Sequence, residues 1–161
     1  MTTVHLLLGS NLGNREHNLQ LASREIGRLL GPIITASSFY KTAAWGKTDQ
    51  PEFYNQVVVS TTGKSAEEAL QFIRDIEDRL GRKRTEKWGS RIIDIDILFW
   101  DDQVISTPEL TIPHPGIPQR RFTLIPLQEI SPDFIHPILH KSVHELLQEC
   151  TDRLPVEKVL H

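Results

Sequence analysis

An α+β fold is what this sequence predicts, and three observations carry the prediction. Segments of strand character and segments of helical periodicity alternate in the order β-α-β-β-α-β, which is the split βαβ, ferredoxin-like arrangement. The helical segments start at capping residues and stop at glycines, so each is a separate unit. The two runs between the helices are rich in β-branched and aromatic residues and share a short polar link, as antiparallel partners do. An antiparallel sheet with helices packed on it and an extra C-terminal helix is therefore expected. At 161 residues it should form one domain over 1–161.

Val4 to Leu8 is a short apolar run closed by Gly9-Ser10-Asn11-Leu12-Gly13, which reads as a buried strand. Asn14 can cap the following helix, in which Leu19, Ala22, Ile26, Leu29 and Leu30 recur at helical spacing until Gly31-Pro32. The runs Ile33 to Trp45 and Phe53 to Thr61 come next, linked by Gly46 to Pro51. Ser65 and Glu68 have the spacing of a capping box, and Ala69, Ile73, Ile76 and Leu80 then form one stripe ended by Gly81. After a basic segment, Ile92 to Trp100 is another strand, and Asp101-Asp102-Gln103 turns it toward a short strand at Val104-Ile105. Five prolines from Pro108 to Pro126 predict mostly loop, with one short helix near Phe122 to Leu127. Ser142 and Glu145 cap a last helix.

Composition removes several functions. The net charge of -3 leaves no global basic field to collect nucleic acid or anionic lipid, so neither is an expected partner. No apolar run approaches the roughly 18 residues that span a bilayer, and the N-terminus lacks a secretory pattern. The single cysteine, Cys150, cannot form an internal disulfide, which suits a reducing, cytoplasmic setting. A monomer acting on small molecules is expected.

Two motifs look chemical without being so. Gly63-Lys64-Ser65 before a helix resembles a phosphate-binding loop, but the glycine required five positions earlier is Val58, so an ordinary capped helix start is expected. His136, His140 and His144 are four apart, yet Pro137 interrupts any helix and Ser142 starts a new one, so the three rings need not form a metal face.

Asp94 and Asp96, two apart inside an apolar strand, point to one face. Adjacent anions on one sheet face repel, so a cation between them is the functional reading, and oxygen ligation by few protein groups suits Mg²⁺. A solvated strand face is the plain alternative. Upstream, Arg79, Arg82, Lys83, Arg84, Lys87 and Arg91 crowd into thirteen positions around Trp88-Gly89, a concentration suited to phosphate oxygens. Cations beside paired carboxylates describe phosphoryl transfer from a nucleotide. Phe53 and Asn55 share a strand face, and Phe122 follows Arg120-Arg121. Two rings and an amide edge suit a flat heterocycle. A metal-dependent hydrolase and a non-catalytic binding module remain as rivals. The hydrolase needs no Phe53, Asn55 and Phe122 pocket, and the module would consume no ATP.

The segments Gly9 to Gly13, Ser37 to Thr42, Gln50 to Asn55, Lys87 to Leu98 and His114 with Arg120 to Phe122 resemble, in order, the 6-hydroxymethyl-7,8-dihydropterin pyrophosphokinases of folate biosynthesis. The likeness runs from about residue 4 to 132, and the Trp-Gly-x-Arg-x-x-Asp-x-Asp segment is its most specific part. It implies a ferredoxin-like fold, two Mg²⁺ ions, ATP as co-substrate, and transfer of the diphosphate of ATP to the pterin hydroxymethyl group with release of AMP. By position it implies metal ligands at Asp94 and Asp96 and catalytic arginines at Arg82 and Arg91. The implied ATP contacts are Glu77, Arg84, Trp88, Ile97, Thr111, His114 and Arg120. The implied pterin pocket is Thr42, Ala43, Trp45, Phe53, Asn55 and Phe122. Ala43 and Trp45 stand where relatives often have proline and leucine. Arg82 to Trp88, bracketed by Gly81 and Gly89, is expected to act as a lid that orders when nucleotide and pterin are both bound.

Overall fold

The computed structural model describes residues 1–43, 51–81 and 92–160. Its elements are β1 (Thr2–Ser10), α1 (Arg15–Leu29), β2 (Ile33–Ala36), β3 (Tyr40–Thr42), β4 (Phe53–Thr62), α2 (Ala66–Arg79), β5 (Asp94–Trp100), β6 (Ile105–Ser106), β7 (Thr111–Ile112), α3 (Arg121–Ile130), α4 (Val143–Glu149) and β8 (Val156–Lys158). The main sheet runs β5-β1-β4-β3-β8, with β2 also paired to β4, and its pairings are antiparallel. Leaving out β8, the order places the last strand of the split βαβ unit beside the first, as the ferredoxin-like arrangement requires.

Local chemistry sets the helix starts. Asn14 Oδ1 accepts from the His17 N–H at 3.1 Å, and complete capping boxes join Ser65 with Glu68 and Ser142 with Glu145. Both terminal carbonyls beyond α1 are held by β4: Thr62 Oγ1 donates to Leu30 O and Ser60 Oγ to Gly31 O, each at 2.8 Å. Gly31 itself lies against β4, and an added Cβ would come within 1.8 Å of Thr61 O.

Helices cover both faces of the sheet. Leu6, Leu8, Val58, Ile95 and Ile97 point toward α1 and α2, burying Leu19, Ala22, Ile26, Ile73 and Ile76 in one core. Leu7, Val57, Leu98 and Phe99 belong to a second core, packed with Leu124 and Leu127 of α3 and Val143 and Leu146 of α4. A register shift between His5 and Leu6 inserts Leu98 as an extra residue in β5, which turns Phe99 toward α3 and α4 beside His5.

Four local expectations need correction. The run from Ile33 divides into β2 and β3, because buried Ser37 bonds β4 with its side chain: Ser37 Oγ accepts from the Val57 N–H at 3.0 Å. The short strand after Asp101 is Ile105–Ser106, and its partner is β7, inside the stretch read as loop. The short helix there extends over Arg121–Ile130 with Pro126 inside it. β8, which pairs with β3, has no counterpart in the sequence reading. The plain readings of the histidines and of Gly63 to Ser65 agree with the structure. His136 is buried and accepts from the Ile138 and Leu139 N–H groups, Cys150 fills the α3/α4 core, and Ser65 caps α2. No described helix is long and apolar enough to cross a membrane.

His5 is buried beside the second core, edge-on to Phe99 and tilted against Phe134. Its Nε2 lies 3.0 Å from Ser131 Oγ, while the buried Nδ1 has no hydrogen-bond partner among the described residues. Burial pushes its pKa down to about 4, so it is neutral in the folded protein. The unfolded chain takes up this proton near pH 6.5. Stability is therefore full above that value and falls as the pH drops toward 4, by about 3 kcal/mol at one unit per 1.36 kcal/mol. His136 is shifted downward by burial too and adds in the same direction. Urea unfolding at pH 7 and pH 5 is expected to show about 2 kcal/mol of this loss, with a clearly smaller pH difference in His5→Phe. An equal difference in the variant would place the acid sensitivity elsewhere.

Candidate active site

Three neighbouring strands build the site. Gly9 of β1 pairs with Asn55 of β4 on one side and with Asp94 of β5 on the other, so an amide, a glycine and a carboxylate form one row across the sheet. Asp96 follows two residues along β5, opposite Leu7, which points toward α3. The alternating Ile93, Ile95 and Ile97, at 0%, 5% and 5% exposure, anchor β5 in the α1/α2 core. That anchoring directs both aspartates to the other face, where they are half-exposed.

Glu77 sits behind the aspartate pair. It is buried on α2, and its Oε2 accepts from the Ile95 N–H at 3.0 Å. This bond shows that Ile95 points its backbone away from β1. By the alternation of an antiparallel ladder, Ile97 presents its N–H and C=O to the same outer edge of β5. A cavity of about 240 Å³ opens there, lined by Ile95, Asp96, Ile97, Thr111 and His114 among others. A strand edge offering one donor and one acceptor beside apolar walls suits a planar heterocycle.

His114 joins this cavity to Asp96. Its backbone N–H donates to Leu98 O at 3.0 Å, docking the segment after β7 onto β5. Its Nδ1 accepts from the Gly116 N–H at 3.0 Å, so the ring proton of the neutral form is on Nε2, which faces Asp96 Oδ2 at 4.0 Å. Burial lowers the His114 pKa, nearby Arg120 pushes in the same direction, and Asp96 opposes them. A neutral ring 4.0 Å away makes neither a hydrogen bond nor an ion pair with Asp96. Arg120, the residue before α3, carries its guanidinium 5.8 Å from the Phe122 ring centre.

Among the described residues no three His, Cys, Asp or Glu side chains gather as a metal cage. Two half-exposed carboxylates nevertheless fit one class of ion. Hard oxygen donors, too few to close a coordination shell, suit Mg²⁺, which keeps waters and accepts phosphate oxygens.

Across the row, Asn55 is buried and its Nδ2 donates to Thr42 Oγ1 at 3.0 Å. Its Oδ1 is turned toward Gly9, where an added Cβ would meet it at 3.0 Å and Phe53 Cδ1 at 3.6 Å. Phe53 and Asn55 thus share a face with Gly9, as their spacing predicts. Phe122 lies in the first turn of α3 on that side of the sheet, packed against the second core, and Ala43 is exposed just after β3. The structure therefore brings Asp94, Asp96, Ile97, Thr111 and His114 together along β5, and Thr42, Phe53 and Asn55 together along β4. Trp45, Arg82, Arg84, Trp88, Arg91 and the expected lid lie outside the described residues. From sequence, Gly9 reads only as a turn residue. β1 in fact runs to Ser10, and only the pairing register reveals that the glycine stands between Asn55 and Asp94.

The family model for 7,8-dihydro-6-hydroxymethylpterin-pyrophosphokinase matches residues 5–132. The 2-amino-4-hydroxy-6-hydroxymethyldihydropteridine pyrophosphokinase of Aquifex aeolicus is 42% identical over 151 residues, covering 94% of each chain. The enzyme of that name from Haemophilus influenzae is 36% identical, covering 94% of this chain and 95% of its own. In structure the chain is similar to wild-type Plasmodium falciparum HPPK-DHPS, with a TM-score of 0.75 at 19% identity. That match covers 92% of this chain and 42% of the other, so this chain spans less than half of that protein. At such identity the likeness concerns the fold alone.

Proposed function

The chain belongs to the 7,8-dihydro-6-hydroxymethylpterin-pyrophosphokinase family, which are ATP-dependent diphosphotransferases, and from this premise we propose that it forms a pterin diphosphate by in-line attack on ATP. The hydroxymethyl oxygen of 6-hydroxymethyl-7,8-dihydropterin bonds to the β-phosphorus. The bond from that phosphorus to the α,β-bridging oxygen breaks, and AMP leaves with the electron pair. The hydroxyl proton passes to solvent or to a phosphate oxygen, and no side chain need act as base, since a loose transition state depends chiefly on positioning and charge. The observation that carries this reading is the row itself: Asn55 and Asp94 flank Gly9, about two inter-strand spacings of ~4.8 Å apart, so heterocycle and phosphates can be held side by side.

Asp94 and Asp96 would hold two Mg²⁺ ions, whose charge neutralises the phosphates when bound. The Ile97 backbone edge, Thr111 and His114 receive the nucleoside, with the Nε2–H of His114 available to a phosphate oxygen. Arg120, with Arg82, Arg84 and Arg91, supplies cations to the triphosphate, and Trp88 covers it. Glu77 serves the nucleotide site through β5. Asn55 reads the pterin amide edge, Phe53 and Phe122 face its rings, and Thr42, Ala43 and Trp45 complete the pocket. The chain acts as a single-domain monomer.

Incubation with Mg-ATP and the pterin alcohol should yield AMP and the pterin diphosphate in equal amounts, read by anion-exchange chromatography. ADP or inorganic phosphate as the dominant product would favour a simple kinase or a hydrolase instead.

A further inference from the structure

We propose that Gly9 is the residue that sets pterin affinity in this site, by leaving the Asn55 amide its place. The inference rests on the pterin pocket described above and adds a residue that makes no polar contact of its own. Asn55 cannot turn freely, because its Nδ2 is tied to Thr42 Oγ1 at 3.0 Å and the residue is buried. Its Oδ1 is therefore held over Gly9, and an added Cβ would lie 3.0 Å from it, tighter than nine in ten real Cβ contacts. The amide must then tilt by a few tenths of an ångström. Such a shift is small for packing and large for a hydrogen-bonded edge, whose strength depends steeply on distance and angle.

Gly9 stands between Asn55 and Asp94 in the row across the sheet. Backbone conformation does not call for glycine here, since Gly9 has no positive φ and lies within regular β1. Close approach is the remaining explanation. The Phe53 ring, 3.6 Å from the same imagined Cβ, would be in ordinary contact, so the Asn55 amide is the group that must give.

Gly9→Ala, Asn55→Ala and the double variant test this by fluorescence titration with 6-hydroxymethyl-7,8-dihydropterin and by calorimetry with α,β-methylene-ATP and Mg²⁺. Gly9→Ala is expected to weaken pterin binding about tenfold, to raise the pterin KM more than it lowers kcat, and to leave nucleotide binding within about twofold. In the double variant the amide oxygen that the added methyl would press is gone, so its pterin affinity should match that of Asn55→Ala. Unchanged pterin affinity in Gly9→Ala, equal loss of both ligands, or full additivity in the double variant would overturn the proposal. If Gly9→Ala does not fold, the double variant decides the matter alone: it should fold and bind as Asn55→Ala does, and failure of either overturns the proposal. A wild-type protein that binds no pterin would overturn the proposed function first, and this inference with it.

Discussion

Asparagine in place of Asp94 or of Asp96 is expected to lower kcat by about 10³-fold or more while the protein remains folded. Each change removes one of only two carboxylates on this face of β5, and the described residues offer no third acidic, histidine or cysteine group to complete a metal site. Asparagine keeps the shape and one oxygen but not the charge, so affinity for a divalent cation should collapse. Fold should survive because Ile93, Ile95 and Ile97 in the core and the Glu77 bond with the Ile95 N–H anchor β5. Two anions side by side repel, so loss of one should leave the metal-free melting temperature level or higher. Steady-state kinetics across Mg²⁺ concentrations and thermal melts in EDTA check both parts. Variants that melt far below wild type yet retain turnover in the folded fraction would show the pair to be structural.

Gly31→Ala should do the opposite, destroying the fold without touching the site. The added Cβ would lie 1.8 Å from Thr61 O and 2.9 Å from the carbonyl carbon, both backbone atoms in the sheet. No rotamer can relieve such a contact, so α1 or β4 must move. Movement would break the Ser60 and Thr62 hydroxyl bonds that hold the end of α1 to β4. A cost of about 4 kcal/mol or more is expected, a large share of the roughly 5 to 15 kcal/mol that keeps an ordinary domain folded. Circular dichroism melts of Gly31→Ala beside Gly27→Ala make the check, since Gly27 has open space around its Cβ position. Equal melting temperatures would show that the approach to Thr61 is not a constraint.

What could be read from sequence was what adjacent residues decide. Asn14, Ser65 and Ser142 cap helices through bonds to N–H groups three residues on, so their pattern is complete within four letters. Asp94 and Asp96 share a face because a strand alternates, whatever surrounds it. The break at Ser37 was hidden, because it depends on Val57. β8 was hidden for the same reason: Val156 to Lys158 shows no periodicity and becomes a strand only because β3 offers it a partner. Within the site, carboxylates and aromatic residues announce themselves by type, whereas Gly9 matters through what stands on the strands either side of it. The placement of His114 beside Asp96 likewise follows from the docking of a loop on β5 through Leu98 O.

β8 also bears on how one folded molecule meets another. Without it, the backbone of Tyr40 to Thr42 would be an unsatisfied sheet edge, a template on which a strand from a second chain could assemble. Three residues close that template from within the molecule. The rim they put in its place carries Glu157 and Lys158, charges that a docking strand would have to strip of water. The segment that contributes least to the chemistry thus gives this end of the sheet a short, charged rim in place of the β3 edge.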